Sequence, residues 1–208
     1  MIKNRTISDY LRTKVIGENF VVSNISIFPN EADNSLSFCQ NSSLENLKFA
    51  KKSTVLASEA DSIILKKYNI SIIISNNPKY DLGLIYDKYF RKKQISYIDN
   101  SVKIGANCNI SNSVKIDRGV TVGNNVTIKK NVFIGQNVII NSNTFIGEAV
   151  KIFPGSIIGI DAFSFGYKKS AKEKYIKIPS FGGVVLKKGV HVGHNCIIAK
   201  GVYKNTVI

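Results

Sequence analysis

From Ile98 onward an aliphatic side chain returns at every sixth residue: Ile98, Ile104, Ile110, Ile116, Val122, Ile128, Ile134, Ile140, Ile146, Ile152 and Ile158. Four places further on in each hexad stands a second column of smaller groups, Val102, Cys108, Val114, Val120, Val126, Val132, Val138, Thr144, Val150, Ser156 and Ala162. Just before that column come Ser101, Asn107, Ser113, Gly119, Asn125, Asn131, Asn137, Asn143, Gly155 and Asp161, types that accept a left-handed backbone or bond their own main chain. Each hexad therefore predicts one short strand and one turn. Apolar spacing of six, divided into four and two, does not follow a 3.6-residue helical stripe. Rungs this short cannot bury an aliphatic face alone and must stack on their neighbours, which predicts a parallel β-helix. After an interruption the period resumes at Leu186, Val192 and Ile198.

The preceding residues follow another pattern. Stretches 20–28, 36–38, 54–57 and 70–75 read as strands, and 44–50 as a short helix. Asn76, Asn77 and Pro78 break the chain, after which Leu82, Ile85, Tyr86, Tyr89 and Phe90 fall on one face of a helix. The expected organisation is a small α/β domain over 1–94 and a β-helix over 95–208, with a loop excursion at 164–182. That excursion carries Lys168, Lys169, Lys172, Lys174 and Lys177.

Composition changes the picture in four ways. With 208 residues, 44% of them hydrophobic, there is enough apolar material for two cores. No apolar run reaches the length of a signal peptide or a membrane span, so a cytoplasmic location is expected. Cys39, Cys108 and Cys196 are odd in number and scattered, as reduced core residues would be, and with the two histidines they offer no metal-ligand spacing. The net charge of +15 would suit nucleic acid, yet no zinc finger, RNP-type sequence or basic helix accompanies it. A solvated basic surface accounts for it, and a pyrophosphate or an acidic carrier protein is a better-matched partner.

Several local stretches carry a family likeness. They are Leu36-Ser37-Phe38-Cys39-Gln40-Asn41, Asn77-Pro78 before the amphipathic helix, Gly159-Ile160-Asp161-Ala162-Phe163-Ser164-Phe165-Gly166, Lys177-Ile178-Pro179 and Thr206-Val207-Ile208. Together with the hexads they resemble the UDP-3-O-acylglucosamine N-acyltransferases of lipid A synthesis, members of the hexapeptide-repeat acyltransferases. The resemblance implies a left-handed coil with three hexads per turn, a homotrimer with sites between coils, and no metal or resident cofactor. It also implies an acyl-carrier-protein thioester as donor of a 3-hydroxyacyl chain and a UDP-linked amino sugar as acceptor. Phe38 would stack on uracil and Asn41 would bond its edge, although the family's second stacking Tyr is replaced by Leu44. Asp161, Phe163 and Phe165 would help shape the acceptor site. Plainer readings are that Phe38 is core and that the excursion is a solvated loop.

N-acyl transfer needs a base, and histidine is suited to neutral pH. The chain has His191 and His194, and the latter stands in Val192-Gly193-His194-Asn195, similar to the family's catalytic Ala-His-Asn turn. If Thr206-Val207-Ile208 sets the alignment, however, the family's catalytic turn falls beyond residue 208. Either the sequence is a fragment short of that turn, or His194 is the catalytic base of a shorter enzyme. An acetyl-CoA-dependent N-acetyltransferase of a nucleotide-linked amino sugar and a non-catalytic sugar-nucleotide-binding module are the alternatives.

Overall fold

The computed structural model describes residues 1–29, 32–39, 47–50, 52–91, 95–167 and 175–208. They fall into two units, Met1–Lys93 and Gln94–Ile208.

The second unit winds through three parallel five-stranded sheets. One face holds Tyr97–Ile98, Lys115–Ile116, Phe133–Ile134, Lys151–Ile152 and His191–Val192. The next holds Lys103–Ile104, Thr121–Val122, Ile139–Ile140, Ile157–Ile160 and Ile197–Ala199. The third holds Asn109–Ile110, Thr127–Ile128, Thr144–Ile146, Val184–Leu186 and Thr206–Val207. Ile98 pairs with Ile116 and Ile116 with Ile134, so three hexads make one coil. This is the expected left-handed parallel β-helix.

From Val114 to Ile158 both inward columns do what the period requires, whereas Ile98 and Ile104 in the first coil stay exposed. Ile116, Ile128, Ile134, Ile140, Ile146, Ile152 and Ile158 are buried, as are Val114, Val120, Val126, Val132, Val138 and Val150. The two polar members find main-chain partners, which is the condition for burying a hydroxyl. Thr144 Oγ1 donates to Asn141 O at 2.8 Å. Ser156 Oγ donates to Gly193 O at 2.7 Å and accepts the Cys196 N–H at 3.1 Å.

At the corners, Asn107, Gly119, Asn125, Asn131, Asn137, Asn143, Gly155, Gly189 and Asn195 take positive φ, and so does Ala149 at +56°, which no local signal announced. Ser101 and Ser113 act otherwise: their hydroxyls accept the N–H of Gly119 (2.9 Å) and Asn131 (3.2 Å) one coil on. Corners also stack on one another. Asn107 donates to Asn125 and Asn125 to Asn143 through their side-chain amides. A Cβ on Gly155 would lie 2.0 Å from Asn195 Oδ1, so glycine is needed there for space as well as for its φ of +77°.

Strict stacking ends after Ile158. Ile152 pairs with Val192 instead of with the residue three hexads on, so a segment longer than a full coil leaves the helix between the two. The excursion is not the plain loop expected from its lysines, because Phe165–Tyr167 and Tyr175–Lys177 pair antiparallel as a hairpin. Alternation of large β-formers on both arms favours that pairing over solvated coil. Lys168, Lys169, Lys172 and Lys174 lie outside the described residues.

In the first unit, strands Val15–Ile16, Ser71–Ile74, Thr54–Ala57, Ser35–Phe38 and Asn24–Ile25 lie side by side in that order, the first antiparallel and the others parallel. Alternate residues feed two cores: Leu56 and Ile73 join Ile7, Val22, Leu36 and Ile85, whereas Val55 and Ile72 join Cys39, Ala57, Leu65 and Ile70. Helices Asn4–Leu11 and Pro78–Ile85 supply Ile7 and Ile85, and helix Glu59–Leu65 supplies Leu65. The expected strand over 20–28 divides into Val21–Val22, which pairs with Ile2–Lys3, and Asn24–Ile25. The expected helix over 44–50 does not include 47–50, which have no regular structure, and its first residues lie outside the described set.

Local chemistry accounts for the helix starts. Ser58 Oγ accepts the Asp61 N–H at 3.0 Å, and Asn77 Oδ1 accepts the Tyr80 N–H at 3.3 Å with Pro78 in the first turn. The second of these helices ends in a wider turn over Tyr86–Phe90, closed by Arg91 N–H to Tyr86 O at 2.7 Å.

Candidate functional site

His194 occupies the corner between strands His191–Val192 and Ile197–Ala199 and is exposed. Its imidazole stacks on Phe153, with centroids 5.0 Å apart and planes 25° from parallel. Among the described residues it has no hydrogen-bond or ion-pair partner, so no carboxylate orients it. Asn195, the second half of the His-Asn signal, has a conformational task of its own: φ is +52° and its amide oxygen sits over Gly155. The His-Asn dipeptide thus joins an exposed imidazole to a corner residue.

Beneath His194 runs a column that the hexad frame did not single out. Tyr97, Lys115, Phe133, Lys151 and His191 are in direct register on the outside of one face. Lys115 Nζ lies 5.5 Å from the Tyr97 ring centre and 5.1 Å from that of Phe133, and Phe133 meets Phe153 edge-on at 6.1 Å. Tyr97 donates its hydroxyl to Asp117, which holds the phenol above its usual range, and Lys115 pairs with the same carboxylate at 3.6 Å. Reading the sequence in steps of three hexads at the residue before each inward aliphatic finds the first four members of this column, and His191 joins it only across the insertion in the coil.

Asp161 stands elsewhere. It follows strand Ile157–Ile160, whereas His194 precedes the parallel partner strand Ile197–Ala199, so the two occupy opposite edges of one face. The Asp161 carboxylate bridges Lys177 at 3.7 Å and Lys200 at 3.6 Å, tying the base of the hairpin to the next coil. Around it the main chain is sewn by Ile178 N–H to Ser164 O (2.8 Å), Lys200 N–H to Ile160 O (2.7 Å) and Phe181 N–H to Val202 O (2.8 Å). Phe163 and Phe165 meet edge to face at 4.8 Å, and Phe163 is 94% exposed. Asp161, Phe163 and Phe165 therefore form one group with Lys177 and Lys200, and His194 is not in it. An exposed aromatic pair beside a cation-bridged carboxylate can receive a ligand with both apolar and polar parts.

In the first unit Phe38 ends its strand half-buried, packed against the core of Ile7, Leu36, Leu56 and Ile85. Asn41 and Leu44 lie outside the described residues. Among the described residues no group of three or more His, Cys, Asp or Glu side chains gathers as metal ligands would. No described helix is long and apolar enough to cross a membrane.

No protein-family model matches the chain. Local similarity joins it to two proteins named UDP-3-O-acylglucosamine N-acyltransferase 2. The one from Nitrobacter winogradskyi is 40% identical over 55 residues, 26% of this chain and 15% of the relative. The one from Legionella pneumophila is 43% identical over 56 residues, 27% of this chain and 16% of the relative. The likeness thus spans about one sixth of the relatives' length.

Proposed function

We propose that the chain takes part in N-acyl transfer to a UDP-linked amino sugar, with a 3-hydroxyacyl group passing from acyl carrier protein to the 2-amine of UDP-3-O-acylglucosamine in lipid A synthesis. The observation that supports this most is a left-handed β-helix in a chain whose local identity is to proteins bearing that enzyme name. In the reaction the amine attacks the thioester carbonyl, a C–N bond forms as the C–S bond breaks, the amine proton passes to a base and the thiolate leaves. His194 is the base proposed from this chain. Its exposure gives a bulky donor access, and stacking on Phe153 steadies the plane of the ring.

Phe38 is the proposed uracil platform, with Asn41 beside it, and Asp161, Phe163 and Phe165 receive the acylated sugar. A homotrimer is part of the reading. The outer column Ile139, Ile157 and Ile197 pairs in register, and Ile139 (40% exposed) and Ile197 (66% exposed) offer an apolar strip to a second copy. With that donor the reaction belongs to the cytoplasm, and none of these steps calls for a metal or resident cofactor.

One observation favours a second reading. An imidazole without an orienting acid suits a chain that binds the sugar nucleotide and leaves the chemistry to another segment or partner. A mass-spectrometric transfer assay separates the two, offering UDP-3-O-acylglucosamine with acyl-carrier-protein thioester or with acetyl-CoA. Acylated product from wild type but not His194→Ala supports the base. Acetyl transfer alone would replace the donor. UDP-sugar binding without turnover would replace catalysis by the binding role.

A further inference from the structure

The first unit contains a crevice of about 530 Å³ at the carboxyl ends of its parallel strands, lined among others by Arg12, Lys14, Glu59, Ser75, Asn77 and Asp81. Its place in the topology is informative. Strand Thr54–Ala57 is followed by helix Glu59–Leu65, whose Leu65 packs into one core, whereas Ser71–Ile74 is followed by Pro78–Ile85, whose Ile85 packs into the other. Successive connections thus leave toward opposite sides of the sheet, and between such connections an open α/β sheet has a gap that takes ligands.

The lining is chemically mixed. Arg12 and Lys14 are exposed and have no ion-pair partner among the described residues. Arg12 is held in the left-handed conformation (φ +55°) by its place at the end of helix Asn4–Leu11, its N–H capping Asp9 O at 3.2 Å. The next residue is pinned to the sheet, with Thr13 Oγ1 donating to Ile74 O at 2.7 Å. Both cations are therefore carried on a fixed segment at the mouth of the crevice. In the same lining Asp81 accepts the Ser75 hydroxyl at 2.6 Å, and Glu59 and Asn77 add further acceptors. Carboxylates would oppose a bare anion. Beside two cations they suit a ligand that carries both phosphate and sugar hydroxyls.

Phe38 ends a strand two places along the same edge, since Ser35–Phe38 and Ser71–Ile74 flank Thr54–Ala57. Two strand spacings are roughly 10 Å, the reach of a nucleoside diphosphate from its base to its terminal phosphate. Phe38 also packs on the same side of the sheet as Leu11 and Leu82, with Leu11 lining the crevice.

We infer that this crevice holds the ribose and diphosphate of a nucleotide whose base lies at Phe38, with Arg12 and Lys14 binding the phosphates and Asp81 and Glu59 receiving ribose hydroxyls. The inference rests on the uridine reading of Phe38. Calorimetric titration with UDP, uridine and inorganic pyrophosphate tests it, using wild type and Arg12→Gly/Lys14→Gln. Glycine suits the left-handed position at a helix end, so the variant keeps its fold, which circular dichroism checks.

The expected result is that UDP affinity falls at least about tenfold in the variant while uridine affinity is unchanged. Added salt should weaken UDP binding in wild type more than in the variant. Equal UDP affinity in the two proteins overturns the inference and leaves the uridine reading standing. If wild type binds neither UDP nor uridine, the uridine reading fails. The anion site then survives only if pyrophosphate binds and the variant abolishes it, and absence of pyrophosphate binding overturns it as well.

Discussion

The two units bury similar aliphatic side chains by different rules. In the β-helix Ile134 packs between Ile116 one coil before it and Ile152 one coil after, and each rung depends on its neighbours above and below. In the α/β unit Leu56 shares one core with Ile7, Val22, Leu36, Ile73 and Ile85, drawn from helices and strands across the whole unit. Repetition makes the first architecture modular, whereas convergence makes the second all-or-none.

Truncation of the two cores gives the largest test of that contrast. Ile134→Ala and Leu56→Ala should each cost about 2–5 kcal/mol, since both side chains are fully buried. Hydrogen exchange should differ in its reach: loss of protection confined to rungs near Ile116 and Ile152 for Ile134→Ala, but spread over all of 1–91 for Leu56→Ala. Equal spread in both would remove the distinction.

Next in size is a corner of the β-helix. Gly155→Ala should cost about 1–3 kcal/mol from its positive φ and from the clash with Asn195. Adding Asn195→Gly should recover part of that loss in thermal unfolding, a coupling between positions distant in sequence that neighbouring coils bring together. Independent effects would show that the corners do not stack.

In the α/β unit Ser58→Ala should cost about 1 kcal/mol through loss of the Asp61 N–H cap, measured by denaturant unfolding, without altering exchange in the β-helix. Asp161→Asn should cost about 0–1 kcal/mol, because its ion pairs are exposed. Its readout is local, as faster exchange at Gly166 and Ile176 in the hairpin. Unchanged hairpin exchange would remove the tie.

The smallest effect is pH-dependent. Asp99 accepts the hydroxyl and N–H of Ser101 at 2.7 and 2.9 Å, and these bonds hold its carboxyl below the usual range. A folded pKa below the unfolded one stabilises at pH above the unfolded value and loses that contribution as pH falls through the folded one. Amide shifts of Ser101 followed by NMR should therefore change only at low pH, and should be flat in Asp99→Ala.

Legibility followed the same division. Inward columns and most of the left-handed corners were written in the hexad period, because side-chain direction and turn conformation are local properties, whereas the coil length came from the family resemblance and is fixed by the strand register. Ala149 shows the limit: alanine has no preference for positive φ, and stacking between coils forces it there. Helices Asn4–Leu11 and Glu59–Leu65 escaped notice because they are 8 and 7 residues long and bury only three and two residues, too few to write an apolar stripe in the sequence. The hairpin hid behind its lysines. His194, Asp161, Phe163 and Phe165 were singled out from the sequence by type and motif. Their separation into two groups on opposite edges of a face was not, since it depends on which strand each corner precedes.

That the second unit is a parallel β-helix, and which columns of side chains point inward, follows from the chain's local preferences, because a preference repeated in every hexad needs no distant partner to be realised; that three hexads close one coil is shown by the register of its strands. Long-range packing was required to bring Phe153 under His194, to join Lys177 to Lys200 through Asp161, and to gather Arg12, Lys14 and Asp81 around one crevice. Each of these meetings joins segments whose approach is set by the packing of whole elements, through an insertion in the coil and a crossover in the sheet. No local pattern encodes that.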